Sequence, residues 1–125
     1  SSNSNSGYSV STAGDVNGDG YDDIIIGSPW ASNGDSENTR TGAAYVIFGK
    51  ASGLSNIDLT SLTLEKGFAI IGKSYAINTG LSVSGAGDIN GDGFDDIVIG
   101  SPGVEIIMEN LKLYSVKLQA LPILR

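Results

Sequence analysis

The feature that most constrains this chain is a segment it contains twice. Residues 6–29 and 79–102 align at a constant offset of 73, and 18 of their 24 positions are identical. Each copy opens on a short alternating run, Tyr8-Ser9-Val10-Ser11 or Leu81-Ser82-Val83-Ser84. An Asp-rich loop follows: Asp15-Val16-Asn17-Gly18-Asp19-Gly20-Tyr21-Asp22-Asp23, then again Asp88-Ile89-Asn90-Gly91-Asp92-Gly93-Phe94-Asp95-Asp96. Each copy closes on a β-branched run ending in Gly-Ser-Pro. A repeat of this length, built of short strands, points to a blade or solenoid array.

In the first loop, oxygen-bearing side chains stand at the first, third, fifth and ninth positions, with glycine at the fourth and sixth. A tightly curved loop that sends alternate residues to one centre suits a hard cation, and calcium takes about six to eight oxygen ligands. Asp15, Asn17, Asp19 and Asp23 would supply side-chain oxygens, Tyr21 a backbone carbonyl, and water the remainder. The loop is not an EF-hand, which needs a bidentate Glu at its twelfth position between two helices. The twelfth position here is Ile26, inside a run that reads as a buried strand. The alternative is a metal-free turn, since Asn-Gly and Asp-Gly are strong turn formers. A plain turn, however, has no need to repeat all four oxygen positions 73 residues later.

The charge of the chain supports a local cation rather than a charged partner surface. The formal net charge is -7, but eight of the fourteen acids lie in the two loops. The remaining six face seven Lys and Arg residues, so the rest is close to neutral. There is no basic stripe of the kind that binds nucleic acid, and no apolar run long enough to span a membrane. Cysteine and histidine are both absent, which removes disulfides, thiol chemistry and the commonest general base. Eighteen glycines among 125 residues, with few aromatics, favour an all-β protein with many turns, of one ordinary domain or less. The chain begins at Ser1 with no signal peptide, which fits a processed product or an excised piece equally well.

Along the chain, residues 1–5 form a polar lead-in. Strands are expected at Tyr8–Ser11 running to Gly14, at Asp23–Gly27, at Ala43–Gly49 and at Gly67–Gly72. A long polar surface loop, 30–41, separates the second from the third. Lys50 to Leu64 reads as loop with one helical turn. After Pro102 the pattern stops, and Val104 to Arg125 is rich in Leu and Lys with no glycine. Ile107, Leu111, Tyr114, Leu118 and Leu121 form a helical stripe, while Leu111, Leu113, Val116 and Leu118 equally mark strands. This change fits a truncated or frame-shifted product, or a tail that covers an open sheet edge.

These residues resemble the FG-GAP repeat of integrin α-subunit β-propellers and their bacterial relatives. The likeness rests on Ser6-Gly7-Tyr8-Ser9-Val10 and Thr79-Gly80-Leu81-Ser82-Val83, on the two Asp-rich loops, and on Gly27-Ser28-Pro29 and Gly100-Ser101-Pro102. Ala44-Tyr45-Val46-Ile47-Phe48-Gly49 resembles a blade's third strand. The resemblance implies an all-β, antiparallel propeller: a first blade over 6–72, a partial second over 73–103, and a non-repeat tail over 104–125. It implies two calcium sites. One would be held by Asp15, Asn17, Asp19, Asp23 and the Tyr21 carbonyl, the other by Asp88, Asn90, Asp92, Asp96 and the Phe94 carbonyl. Asp22 and Asp95 would turn away by strand alternation and hydrogen-bond the loop backbone. Ligand binding would lie on the opposite surface, at the Trp30 to Thr41 loop and the Lys73 to Thr79 segment. The bland reading of Trp30 is a packing tryptophan on a surface loop.

Function then falls into three classes. The first is a calcium-stabilised, extracellular or cell-surface adhesion module with a protein or glycan ligand, its calcium structural. The second is an accessory segment of a larger extracellular hydrolase; within this chain no His, no Cys, no Gly-x-Ser-x-Gly elbow and no P-loop is present, so a non-enzyme is expected. The third is a structural segment that self-associates through uncovered edges and apolar faces.

Overall fold

The computed structural model describes residues 5–32, 40–72 and 78–101, and of 111–114 the backbone. The four runs expected to be strands form one antiparallel sheet in sequence order: β1 Ser9–Gly14, β2 Asp23–Ser28, β3 Ala43–Ile47 and β4 Gly67–Ile71. The second repeat forms another: β5 Ser82–Gly87, β6 Asp96–Gly100 and β7 Leu111–Tyr114, again in order. The fold is all-β and antiparallel, and a four-stranded meander of short strands is the architecture of a propeller blade. The one helical turn expected between Lys50 and Leu64 is a 3-10 turn at Leu59–Ser61.

Strand ends differ from the sequence expectation by one or two residues, for local reasons. β1 ends at Gly14 as expected, and a register shift between Thr12 and Gly14 absorbs an extra residue opposite Asp23. β5 repeats the shift between Gly85 and Gly87. Such bulges bend a strand where it leaves the ladder, and here each one launches an Asp-rich loop. β3 stops at Ile47 as regular strand, although Phe48 still donates its N–H to the Lys66 carbonyl at 2.8 Å.

The tail supplies a strand where a helix was the other option. Leu111–Tyr114 pairs antiparallel with β6, Leu113 opposite Val98 and Leu111 opposite Gly100. It occupies the third-strand place of the second sheet without the Gly-Ala-Ala-Tyr run that fills that place in the first. The rest of the helical stripe, at 107, 118 and 121, lies outside the described residues.

The sheets pack with β1 against β5. One face of the first sheet contributes Ala13, Ile25, Ala44 and Val46 to a shared core, with Phe68 and Ile70 at its edge. The second sheet contributes Ile97 and Ile99, with Val83 packed beside them. Polar contacts reinforce the join: the Ser9 hydroxyl donates to the Gly80 carbonyl at 2.9 Å, and the Thr79 N–H donates to the Thr41 carbonyl at 3.2 Å. Both Asp-rich loops leave the same end of these two strands.

Candidate metal centre

Glycine shapes each loop. Gly18 and Gly20 have φ of 73° and 90°, and Gly91 and Gly93 have 71° and 92°. These left-handed conformations cost a residue with a side chain but not glycine. They fold the backbone around the first aspartate of the loop, whose carboxylate then collects N–H groups. Asp15 Oδ1 accepts from Gly18 at 2.8 Å and Asp19 at 3.1 Å, and its Oδ2 accepts from Gly20 at 2.9 Å. Asp88 does the same with Asp92 at 3.1 Å and Gly93 at 2.8 Å. The Gly93 N–H above all holds the Asp88 carboxyl below its ordinary range.

The fifth position closes the next turn. Asp19 Oδ1 accepts the Tyr21 N–H at 2.9 Å, and Asp92 Oδ1 the Phe94 N–H at 3.0 Å. The ninth position anchors the loop to the strand. Asp23 and Asp96 are both buried, at the first residues of β2 and β6. Asp23 Oδ2 accepts from Val16 and Oδ1 from Gly49, each at 2.8 Å, while Asp96 Oδ2 accepts from Ile89 at 2.8 Å. Burial pushes the Asp23 carboxyl up to about 6, against the pull of those two N–H groups.

Two observations bear on whether these residues fit a hard cation. Carboxylate oxygens of Asp88, Asp92 and Asp96 lie within 4.8 Å of one another, and among the described residues no other acidic triad does so. Asp15, Asp19 and Asp23 are less drawn together, and Asp19 Oδ2 accepts instead from the Asn17 amide at 3.2 Å. Secondly, Asn17 Oδ1 and Asp92 Oδ2 are buried and accept no hydrogen bond. A buried oxygen left without a donor costs about 1–3 kcal/mol, and a hard divalent cation is the partner that acceptor-only oxygens take. The orphaned atoms stand at the third position of one loop and the fifth of the other. Asn90 is exposed at the third position of the second loop.

The family profile described as FG-GAP repeat matches residues 6–47 and 79–105. The chain belongs to the FG-GAP repeat family. It is 36% identical over 107 residues to integrin alpha-PS5 of Drosophila melanogaster, a match covering 86% of this chain and 10% of that one. Integrin alpha pat-2 of Caenorhabditis briggsae is 35% identical over 95 residues, 76% of this chain and 7% of its own. Integrin alpha-E of Mus musculus is 32% identical over 108 residues, 86% and 9%. The chain thus spans about a tenth or less of the length of these relatives.

In this FG-GAP chain the eighth position of the second loop hydrogen-bonds the first loop. Asp95 Oδ2 accepts the N–H of Asp15, in the other repeat, at 2.8 Å, and the Asp95 N–H donates to the Asp15 carbonyl at 3.1 Å. Phe94 lies over Gly18, where an added Cβ would meet its ring at 2.6 Å. The second loop is thereby clasped to the first. The sequence has Asp95 hydrogen-bonding loop backbone, and the backbone it reaches is that of the first loop, since two nearly identical loops do not disclose which one reaches across. Trp30 packs edge-on against Tyr8, ring centroids 5.2 Å apart. Residues 33–39 and 73–77, the centres of the two expected ligand-facing segments, lie outside the described residues.

Proposed function

We propose that this chain is a calcium-binding FG-GAP β-propeller module with a non-catalytic, extracellular adhesion or ligand-binding role, in which calcium fixes the scaffold. The observation that carries this reading is the convergence of Asp88, Asp92 and Asp96 within 4.8 Å, around an oxygen that accepts no hydrogen bond. Three carboxylates at that spacing repel one another, and a divalent cation between them turns repulsion into attraction. Asn90 and the Phe94 carbonyl complete this set. The matching set is Asp15, Asn17, Asp19, Asp23 and the Tyr21 carbonyl, where Asn17 carries the orphaned oxygen. With no His and no Cys in the chain, the commonest general base and the thiol nucleophile are missing, which supports a non-catalytic role. Likeness to integrin α chains supports the adhesion role, and the segments 30–41 and 73–79, which lie largely outside the described residues, are the proposed place for a protein or glycan partner.

Thermal unfolding with calcium chloride and with chelator tests the reading. Calcium at about a hundred times its Kd stabilises a one-site protein by about 2.7 kcal/mol, so Tm rises by several degrees. Asp19→Ala combined with Asp92→Ala abolishes the response. A wild-type melting curve indifferent to calcium would sink the proposal.

A further inference from the structure

The two Asp-rich loops are joined at the residues that would hold their ions. Asp95 lies between Phe94 and Asp96, the last two ligands assigned to the second loop. Its carboxylate and its N–H both go to the backbone of Asp15, the residue that opens the first loop. The carboxylate accepts the Asp15 N–H at 2.8 Å, and the N–H donates to the Asp15 carbonyl at 3.1 Å. This approach requires Gly14, at φ 71°, because an added Cβ there would collide with the Asp95 carboxylate.

Phe94 makes a second connection. Its N–H is held by Asp92 Oδ1 at 3.0 Å, and its ring covers Gly18 of the first loop. Gly18 is one of the residues whose N–H groups fix the Asp15 carboxylate, with Asp19 and Gly20. The Asp15 backbone is thus set by Asp95, and its side chain by a turn on which Phe94 rests. A continuous path runs from Asp92 and Asp96 of one loop to Asp15 of the other.

We propose that Asp95 and Phe94 are positioning residues that couple the two loops, so that calcium binding to either raises the affinity of the other. The proposal rests on the calcium reading above. Holding residues 94 and 96 holds Asp95 between them, and the first loop then forms around an Asp15 that is already ordered. Disorder removed at the first binding step is not removed again at the second, which favours the second. Coupling in binding free energy is reciprocal, so it holds whichever loop fills first. Repulsion between two divalent ions opposes it, and salt at about 0.15 M, with a Debye length of about 8 Å, screens that repulsion.

Calorimetric titration with calcium chloride in that salt measures the coupling. Asp92→Ala isolates the association constant of the first loop, and Asp19→Ala that of the second. The product of the two wild-type constants, divided by the product of these two, is the coupling factor, and about 5–150 is expected. With Asp95→Ala added to all three chains the factor falls to unity, while Asp95→Asn, which keeps a neutral acceptor, retains part of it. A merely structural loss moves the factor the other way: if the ions also bind by refolding the chain, the apparent factor rises. Circular dichroism without calcium shows that each variant is folded. Asn17→Ala and Asn90→Ala replace the two single-loop variants should either unfold. Phe94→Ala, which keeps its carbonyl and loses its ring, likewise replaces Asp95→Ala and also lowers the factor. Two ions bound with a wild-type factor of unity, or a factor that Asp95→Ala leaves unchanged, would overturn the coupling and leave the calcium reading standing. A chain that takes up no calcium would overturn both.

Discussion

A carboxylate that accepts a backbone N–H makes a stronger hydrogen bond than a neutral acceptor, and Asp95 makes one across the repeats, to Asp15 at 2.8 Å. Its counterpart Asp22 is exposed. The two residues share a type, a loop position and flanking sequence, so any difference between their variants measures the clasp. Asp95→Ala should lower stability by about 1.5–3 kcal/mol, the worth of a hydrogen bond to a charged group. Asp22→Ala should stay within about 0.5 kcal/mol of wild type, as exposed substitutions do. Urea unfolding at dilute, equal concentration reads both, and equal losses would refute the clasp. The candidate ligands themselves were legible in the sequence, because alternation of oxygens and glycines over nine residues is a local pattern. The clasp was not. It joins residues 80 apart, and the repeat that revealed the loops also hid which copy meets which.

At the scale of the strand, six of the seven were marked in the sequence by β-branched or alternating runs ended by glycine or proline. Their bulges were not, since a register shift depends on the partner strand. The exception, Leu111–Tyr114, carries apolar residues that suit either period. The edge of β6 decided the matter by offering a ladder, and a strand there satisfies backbone groups that a helix would leave to water. Nor could sequence say which face of a strand is buried when both are apolar. Ile24 and Ile97 occupy the same place in β2 and β6, yet only Ile97 lies in the shared core. Truncating a core isoleucine costs about 2–5 kcal/mol through lost transfer energy and a cavity. Ile97→Ala should therefore fall in that range, and Ile24→Ala at dilute concentration should cost less than half as much. The comparison of denaturation midpoints fails the assignment if the two variants lose stability alike.

For the whole molecule, the question is whether two repeats behave as two units or one. In a repeat array stability is the sum of what each repeat holds alone and what each interface adds. Here the interface carries a large share, because Ile97 and Ile99 are fully buried in one core with Ala13, Ile25, Ala44 and Val46 of the other sheet. The second sheet deprived of the first would expose that face and lose the Asp95 clasp together. The first would uncover Val16 and Ile25. Neither repeat is then populated without its neighbour, and unfolding should be a single transition. Trp30, the chain's one tryptophan, packs on Tyr8 within the first repeat, so its fluorescence follows that repeat, while far-ultraviolet circular dichroism follows both. In calcium and at dilute concentration the two signals should trace the same curve with the same midpoint, as two-state unfolding requires. Separate midpoints would mean that each blade stands alone, and that the core shared between the sheets contributes less than its burial indicates.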